Sequence, residues 1–486
     1  MTNEPKKLIL NLFEMACVSH ITHGLWRLEG NNRHRFADLD YWTELAEICE
    51  DGGFDAVFLA DVVGTYDVFR DGPETALREG LQNPDLDPLL LVPAMAAATR
   101  RLGFGVTFST TYEPPFAFAR RMSTLDHLTR GRVGWNIVTS YLPNAARNFG
   151  LDGEIPHDRR YELADEYLHV LYKLWEGSWD DGALVHDRER GVVTDPAKVR
   201  YIDHVGAHHR VAGPHLVHPS PQRTPVLFQA TGSPAGSAFA GRHAEVLFTG
   251  GRTTEQFQAV KRSVQDAAVA QGRTEDSVRF VVQAGVITGR TQEEAEDKWR
   301  LYRAHTSLDG ILAHQGLPVD LTAAPRDITV AEAVARSGKD VGRSLMVPLD
   351  RTVGEVLDGI RAGNQERFFV VGTPDVVADE IERWLDVDGI DGINLRQYHS
   401  FGTAQDFAEL VVPELRRRGR LPEAGEHTGA TLRERIFGHP RLPEEHVGTR
   451  YRGGAHLGAD TVPVAVPVAG PVSEPVAEPV AEPVTV

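Results

Sequence analysis

Short apolar runs rich in β-branched and aromatic residues recur along the chain, each followed by a longer stretch whose apolar positions return every three or four residues. The first pattern fits strands buried on both faces, the second fits helices packed on them by one stripe, and their alternation marks a parallel sheet with crossover helices. Eight strands are predicted, at Leu8 to Phe13, Asp55 to Ala60, Leu102 to Ser109, Val133 to Val138, Pro225 to Gln229, Glu245 to Phe248, Phe280 to Ile287 and Gly392 to Gln397. Helices are predicted at 38–51, 87–100, 116–129, 159–176, 235–242, 254–270, 291–305 and 374–387. Eight strand-and-helix units favour a closed barrel over an open sheet, so the expected fold is an α/β TIM (β/α)8 barrel.

Such a barrel needs about 250 residues, and the chain has 486. The excess is expected in two insertions: 177–224, after the fourth strand, and 306–372, after the seventh. Both follow the strand ends where barrel enzymes keep their chemistry, so both are expected as lids or pocket walls. One barrel domain is therefore expected over 1–450, followed by a tail over 451–486. From Thr461 the tail reads TVPVAVPVAGPVSEPVAEPVAEPVTV, and a proline at every fourth position blocks helix and central strand alike. It is predicted to be disordered, a solubilising extension rather than a partner motif, since PxxP spacing is absent.

Charge narrows the partners. With 51 Lys and Arg against 69 Asp and Glu, the net charge of −18 argues against binding nucleic acid or an anionic membrane surface. Cys17 and Cys49 are too few for a disulfide framework or a cysteine-based zinc site. The first apolar run ends at Glu14 without a cleavage pattern, and no apolar window approaches the roughly 20 residues of a membrane span, so a cytoplasmic protein is expected.

Thr224 to Gly241, TPVLFQATGSPAGSAFAG, reads as strand, small-residue loop and helix start. Free N–H groups at Thr231 to Ser233, the Ser233 hydroxyl and the helix dipole would suit a phosphate; a plain tight turn is the alternative. Neither GxGxxG nor GxxxxGK[ST] is present. Asp61, Thr107, Asn136, Thr139 and Ser140 lie at or just beyond strand ends, where they would either hold a polar planar ligand or cap the next helix. Cys17, His20 and His23 beyond the first strand, and His314 in the second insertion, are placed to face a pocket; a histidine there shuttles protons or is a satisfied structural group. His204, His208, His209, His215 and His218 lack an accompanying carboxylate pattern, so no metal site is expected, and GxSxG and HExxH are absent.

Several longer runs occur together: FEMACVSHITHGLWR, DYWTELAEICEDGGFDAVFLADVVGTYDVFR, VTFSTTYEPPFAFARRMSTLDHLTRGRVGWNIVTS, HDRRYELADEYLHVLYKLWEGSWDD, PSPQRTPVLFQA and VVPELRRRG. With them the chain resembles the bacterial luciferase-like, flavin-dependent monooxygenases of the nitrilotriacetate and dibenzothiophene-sulfone monooxygenase group, most closely their long-chain alkane monooxygenase branch. The resemblance implies an enzyme that takes reduced FMN from a separate NAD(P)H:flavin reductase, reacts it with O2 and inserts one oxygen atom into a small organic substrate, with no metal. It also implies a homo-oligomer, dimer or tetramer. By position it makes Asp61, Thr107, Asn136, Ser140, His157 and Tyr161 flavin contacts and Ala230, Thr231, Gly232 and Ser233 the phosphate loop, with Thr231 where relatives usually have glycine. Tyr66, Gln82 and His314 match positions beside the flavin ring, and Cys17 and His20 match the strand-one motif. The run HQGLPVD after His314 is less glycine-rich than the alkane branch implies. Oxygenation of a sulfide, sulfone or amino-polycarboxylate is therefore the competing expectation, and a non-catalytic flavin-binding protein the one from a different class.

Overall fold

Nearly every residue of the central strands is buried in the computed structural model, which describes residues 5–250, 253–339, 348–363, 367–423, 425–426 and 429–457. The strands are β1 (Ile9–Met15), β2 (Ala56–Ala60), β3 (Gly103–Ser109), β4 (Val133–Val138), β5 (Val226–Ala230), β6 (Val246–Thr249), β7 (Arg279–Thr288) and β8 (Gly392–Arg396). Each pairs in parallel with the next, and β8 pairs back with β1, so the sheet closes into the expected barrel. Along β2, Val57 and Leu59 pack under the outer helices while Ala56 and Phe58 join Phe13, Phe228 and Phe248 in the barrel interior. The Phe58 ring lies 5.7, 5.5 and 5.6 Å from those of Phe13, Phe228 and Phe248. Glycines on the intervening strands make room for these rings: a Cβ at Gly134 would stand 2.5 Å from the Phe228 ring, and one at Gly105 3.1 Å from Phe58. Large and small residues thus alternate around the interior, as a filled barrel requires.

Helices α1 (Leu39–Asp51), α2 (Pro88–Ala98), α3 (Pro115–Leu128), α4 (His157–Tyr172), α5 (Pro234–His243), α6 (Thr254–Ala270) and α7 (Gln292–His305) follow β1 to β7 in order. The predicted helix at 374–387 is present as α8 (Pro374–Arg383), but it leads into β8 and does not follow it. The helical run that follows β8, 402–417, was not predicted, because Gly402 and Pro413 interrupt its apolar period.

The two insertions go to different places. The second contributes helices Leu308–His314, Val330–Ser337 and Val353–Ala362 and a strand, Phe369–Gly372, beside β7. Its Ile311, Leu312 and Leu317 share one apolar cluster with Tyr66 and Phe69 of the β2 loop and with Leu142 beyond β4, so it packs on the loops at the C-terminal ends of the strands. The first corrects the expectation of a lid. It forms two small hairpins, and its polar groups are tied to the outer helices: His204 and the His208 and His209 N–H groups bond Glu166 of α4, and His215 bonds Ser123 of α3 at 2.9 Å. Three of its histidine residues thus share Glu166 and a fourth bonds Ser123, all on the barrel's flank.

The opposite end of the barrel is closed by the C-terminal segment. Leu432 enters the interior cluster, and the buried Arg433 donates to Glu245 at 2.7 and 2.8 Å and to the carbonyls of Thr224 and Pro225 at 2.8 and 3.0 Å. Removing one partner of such a buried pair typically costs about 3–5 kcal/mol. Tyr451 is also buried, its hydroxyl 3.0 Å from His169 Nδ1, so packed structure continues past residue 450. The proline-rich stretch Thr461–Val486 lies outside the described residues. Among those described, no helix is long and apolar enough to cross a membrane.

Candidate active site

At the C-terminal ends of the strands, the loops after β1 and β2 are joined by two backbone bridges, Cys17 with Asp85 and Ser19 with Leu81. The Gln82 N–H donates to the Ser19 carbonyl at 2.9 Å, holding Gln82 at a φ of 44°. Its side chain is fixed in turn: Nε2 donates to the His20 carbonyl at 3.1 Å and reaches His314 Nε2 at 3.5 Å. The Tyr66 ring stands edge-on to His314 at 5.2 Å, and its hydroxyl lies 2.5 Å from that of Tyr141. Cys17, His20, Tyr66, Gln82 and His314, scattered over three segments of sequence, therefore gather at one place. Burial, and after it the Arg396 charge, lowers His314 to about 4, and burial also pushes His20 well below the usual histidine range. Both rings are neutral at pH 7. Burial and then the nearby Asp85 push the Cys17 thiol up, so it is not a thiolate nucleophile.

Across the barrel, β5 delivers Ala230 into the loop that starts α5. Ser233 caps the helix, its Oγ accepting from the Gly236 N–H at 3.1 Å, and His157 Nε2 lies 3.3 Å from the same oxygen. The Thr231 hydroxyl accepts from the Ser233 N–H at 3.4 Å, and the Tyr161 hydroxyl bonds Thr231 and Ser233. Gly236, which sequence reading passed over, makes this possible. A Cβ there would collide with Thr231 Oγ1 and stand 2.7 Å from the Tyr161 hydroxyl oxygen. The Thr231 hydroxyl is thus accommodated by a glycine five positions on. The result is a hydroxyl-lined cradle on a ten-residue helix N-terminus, with the chemistry of an anion site.

Between cradle and histidines lie the remaining strand ends. Asn136 Nδ2 donates to Thr107 Oγ1 at 2.9 Å, which leaves Asn136 Oδ1 buried with no protein partner. Ser140, at a φ of 57°, donates to Ser109 Oγ at 2.8 Å. Asp61 follows β2 directly. Read around the barrel, β2, β3, β4 and β5 are consecutive neighbours, so Asp61, Thr107, Asn136, Ser140 and the cradle form one row of polar groups.

Comparison with known proteins decides the family. Residues 15–391 match the family model for luciferase-like monooxygenases. The chain belongs to that family. It is 48% identical over 450 residues to the long-chain alkane monooxygenase of Geobacillus thermodenitrificans, covering 92% of this chain and 98% of that one. It is 42% identical over 465 residues to the dimethyl-sulfide monooxygenase of Hyphomicrobium sulfonivorans, covering 94% and 96%. The crystal structure of a long-chain alkane monooxygenase superposes with a TM-score of 0.85, covering 92% of this chain and 100% of that one. A riboflavin lyase with modified FMN and riboflavin, 38% identical, superposes with a TM-score of 0.82 over 92% of this chain and 100% of the other.

This luciferase-like monooxygenase also holds a carboxyl pair that sequence reading found only by half. Both Asp85 oxygens are buried with no side-chain N–H or amide donor, and the side chain they meet is the Asp61 carboxyl. Two carboxyls can be this close only with a proton between them. Burial first, then repulsion from Asp61, raises Asp85 well above the usual carboxylate range; burial likewise raises Asp61. Asp85 is thus the protonated member and donates to Asp61. No motif marked it, because its partner is set by the bridge to Cys17. The folded protein keeps a proton that the unfolded chain releases near pH 4, so this contribution to stability is full at acid pH and is lost as pH rises into the raised range. Asp85→Asn, which keeps a donor and cannot ionise, is expected to flatten the fall in melting temperature between pH 5 and 9. At pH 9 it should be worth at least about 1.4 kcal/mol, one pKa unit. An unchanged slope in thermal scans across that range would mean the pair shares no proton.

Proposed function

We propose that this chain is a two-component flavin-dependent monooxygenase that receives reduced FMN from a separate NAD(P)H:flavin reductase and places one oxygen atom of O2 on a small, apolar organic substrate such as a long-chain alkane. The observation that carries the reading is the order of groups around the mouth: an anion cradle at β5, strand-end donors and an orphaned buried acceptor at β4 to β2, and, at the loops of β2 and β1, Gln82 and His20 with His314 brought in from the second insertion. A phosphate, a planar heterocycle and a reacting edge would be received in that sequence. The cradle's Ser233, Thr231, Tyr161 and His157 would hold the phosphate of FMN, and Asn136 Oδ1 is an acceptor still lacking its donor. When bound, reduced FMN supplies the two electrons that split O2 between product and water, a reaction that consumes one proton with the anionic flavin.

The chain's own residues then have three tasks. The row from Asp61 to Ser233 orients the flavin. The apolar cluster of Tyr66, Phe69, Leu142, Ile311, Leu312 and Leu317 excludes water from the mouth. His314, whose Nε2 faces Gln82, is the group that moves the proton. An apolar substrate is favoured over an amino-polycarboxylate because the cations beside this wall are already paired: Arg70 with Asp309 and Asp320, and Arg78 with Asp309. The relatives acting on a long-chain alkane and on dimethyl sulfide support the same choice. The test is a panel of alkanes, sulfides and amino-polycarboxylates incubated with reduced FMN from any unspecific reductase, read as product mass gain of one oxygen atom. Oxygenation of alkanes or apolar sulfides is expected. Oxygenation of polycarboxylates alone would overturn the substrate class, and no substrate-dependent oxygen uptake across the panel would leave a flavin-binding protein without this activity.

A further inference from the structure

His314 enters the site from a segment 291 positions away from His23, and it meets His23 by three routes. The Ser307 N–H, at the start of the His314 helix, donates to the His23 carbonyl at 2.9 Å. Gly310 lets that helix close on the β1 loop, since a Cβ there would stand 2.8 Å from the His23 Cβ. Finally, His23 Nε2 lies 3.0 Å from His314 Nδ1, the rings edge-to-face at 5.0 Å. On its far side His23 Nδ1 lies 2.9 Å from Ser19 Oγ.

The proton positions follow from Gln82. Because its Nε2 is oriented by the His20 carbonyl, it presents an N–H to His314 Nε2, which must offer a lone pair. His314 therefore carries its proton on Nδ1 and donates it to His23 Nε2, and His23 donates from Nδ1 to Ser19. We propose that His23 is a positioning residue that seats His314 and fixes its tautomer, so that Nε2 is the nitrogen exchanging a proton with the pocket. A carboxylate in this place would do the same but would also make His314 more basic. A neutral imidazole orients without that effect, so a His314 that picks up a proton readily gives it up. The groups facing the pair are His20, Tyr66, Gln82, Ser19 and the Arg396 cation; none of them is an anion at neutral pH.

The inference rests on the proposed role of His314, and the test separates the two. His23→Phe should lower turnover about 10- to 100-fold, the usual loss when the partner orienting a reactive histidine is removed, with FMN affinity unchanged. His23→Gln, which restores a neutral acceptor, should recover most of it, and His23→Glu should move the pH profile up by about one unit or more. The double variant with His314→Ala should be no slower than His314→Ala alone. Ring nitrogen NMR of histidine-labelled protein, with His314 assigned by its loss in His314→Ala, should show an Nδ1–H tautomer that changes in His23→Phe. The spectra of the Gln and Glu variants serve if the Phe variant does not fold. Losses that multiply in the double variant, or a tautomer indifferent to residue 23, would overturn the inference. Full turnover by His314→Ala would instead overturn the role given to His314, while the spectra would still decide what His23 does.

Discussion

His314→Ala is expected to lower turnover about 10²- to 10⁴-fold, the usual range for losing a residue that moves a proton in the rate-determining step, while FMN binding stays close to that of the parent. The reason is positional. His314 is buried against Tyr66, Gln82 and His23, whereas the phosphate cradle is built on β5 and α5. The informative quantity is the ratio of oxygenated product to reduced flavin consumed, measured where the variant is fully folded. Hydrogen peroxide should rise as product falls, since flavin oxidation continues when the proton is not delivered in register. A purely structural histidine would give a lower melting temperature and an activity that falls only with the folded fraction. Unchanged rate and ratio in folded protein would remove His314 from the reaction and leave His20 and Tyr66 as the remaining candidates.

Ser233→Asp is expected to weaken FMN binding by roughly 10²-fold or more with the fold intact. Aspartate caps a helix as well as serine does and favours the positive end of the dipole, so α5 keeps its start. The added charge would face the phosphate dianion, and two like charges about 4 Å apart repel by about 4 kcal/mol at the effective dielectric near a protein surface. Anaerobic titration of FMN and riboflavin checks this. Riboflavin, lacking the phosphate, should bind the parent and variant alike; an equal loss of both ligands would show a distorted loop instead of a charge effect. No loss of FMN affinity would remove the phosphate from this cradle.

The apolar period by itself determined the barrel. Runs such as Ala56–Ala60 and Val133–Val138 are buried on both faces, and that condition writes itself into consecutive residues. The cradle was legible for the same reason, since Ala230 to Ser233 and the start of α5 are contiguous and a helix N-terminus needs no distant partner. Gln82 and Tyr66 came from resemblance alone, and His314 was placed at a pocket by its position in the second insertion, though nothing local distinguishes a pocket histidine from a core one. Tertiary structure alone decided the rest. It put His23 on His314 across 291 positions, gave Asp61 a carboxyl partner through the Cys17 bridge, and used Gly236 to house the Thr231 hydroxyl. It also turned the first insertion away from the mouth by anchoring it to Glu166 and Ser123, and led the chain through an unpredicted helix after β8. Each of these depends on burial and on contacts between distant segments. Those are the quantities that set protonation states and side-chain partners, and period and spacing do not carry them.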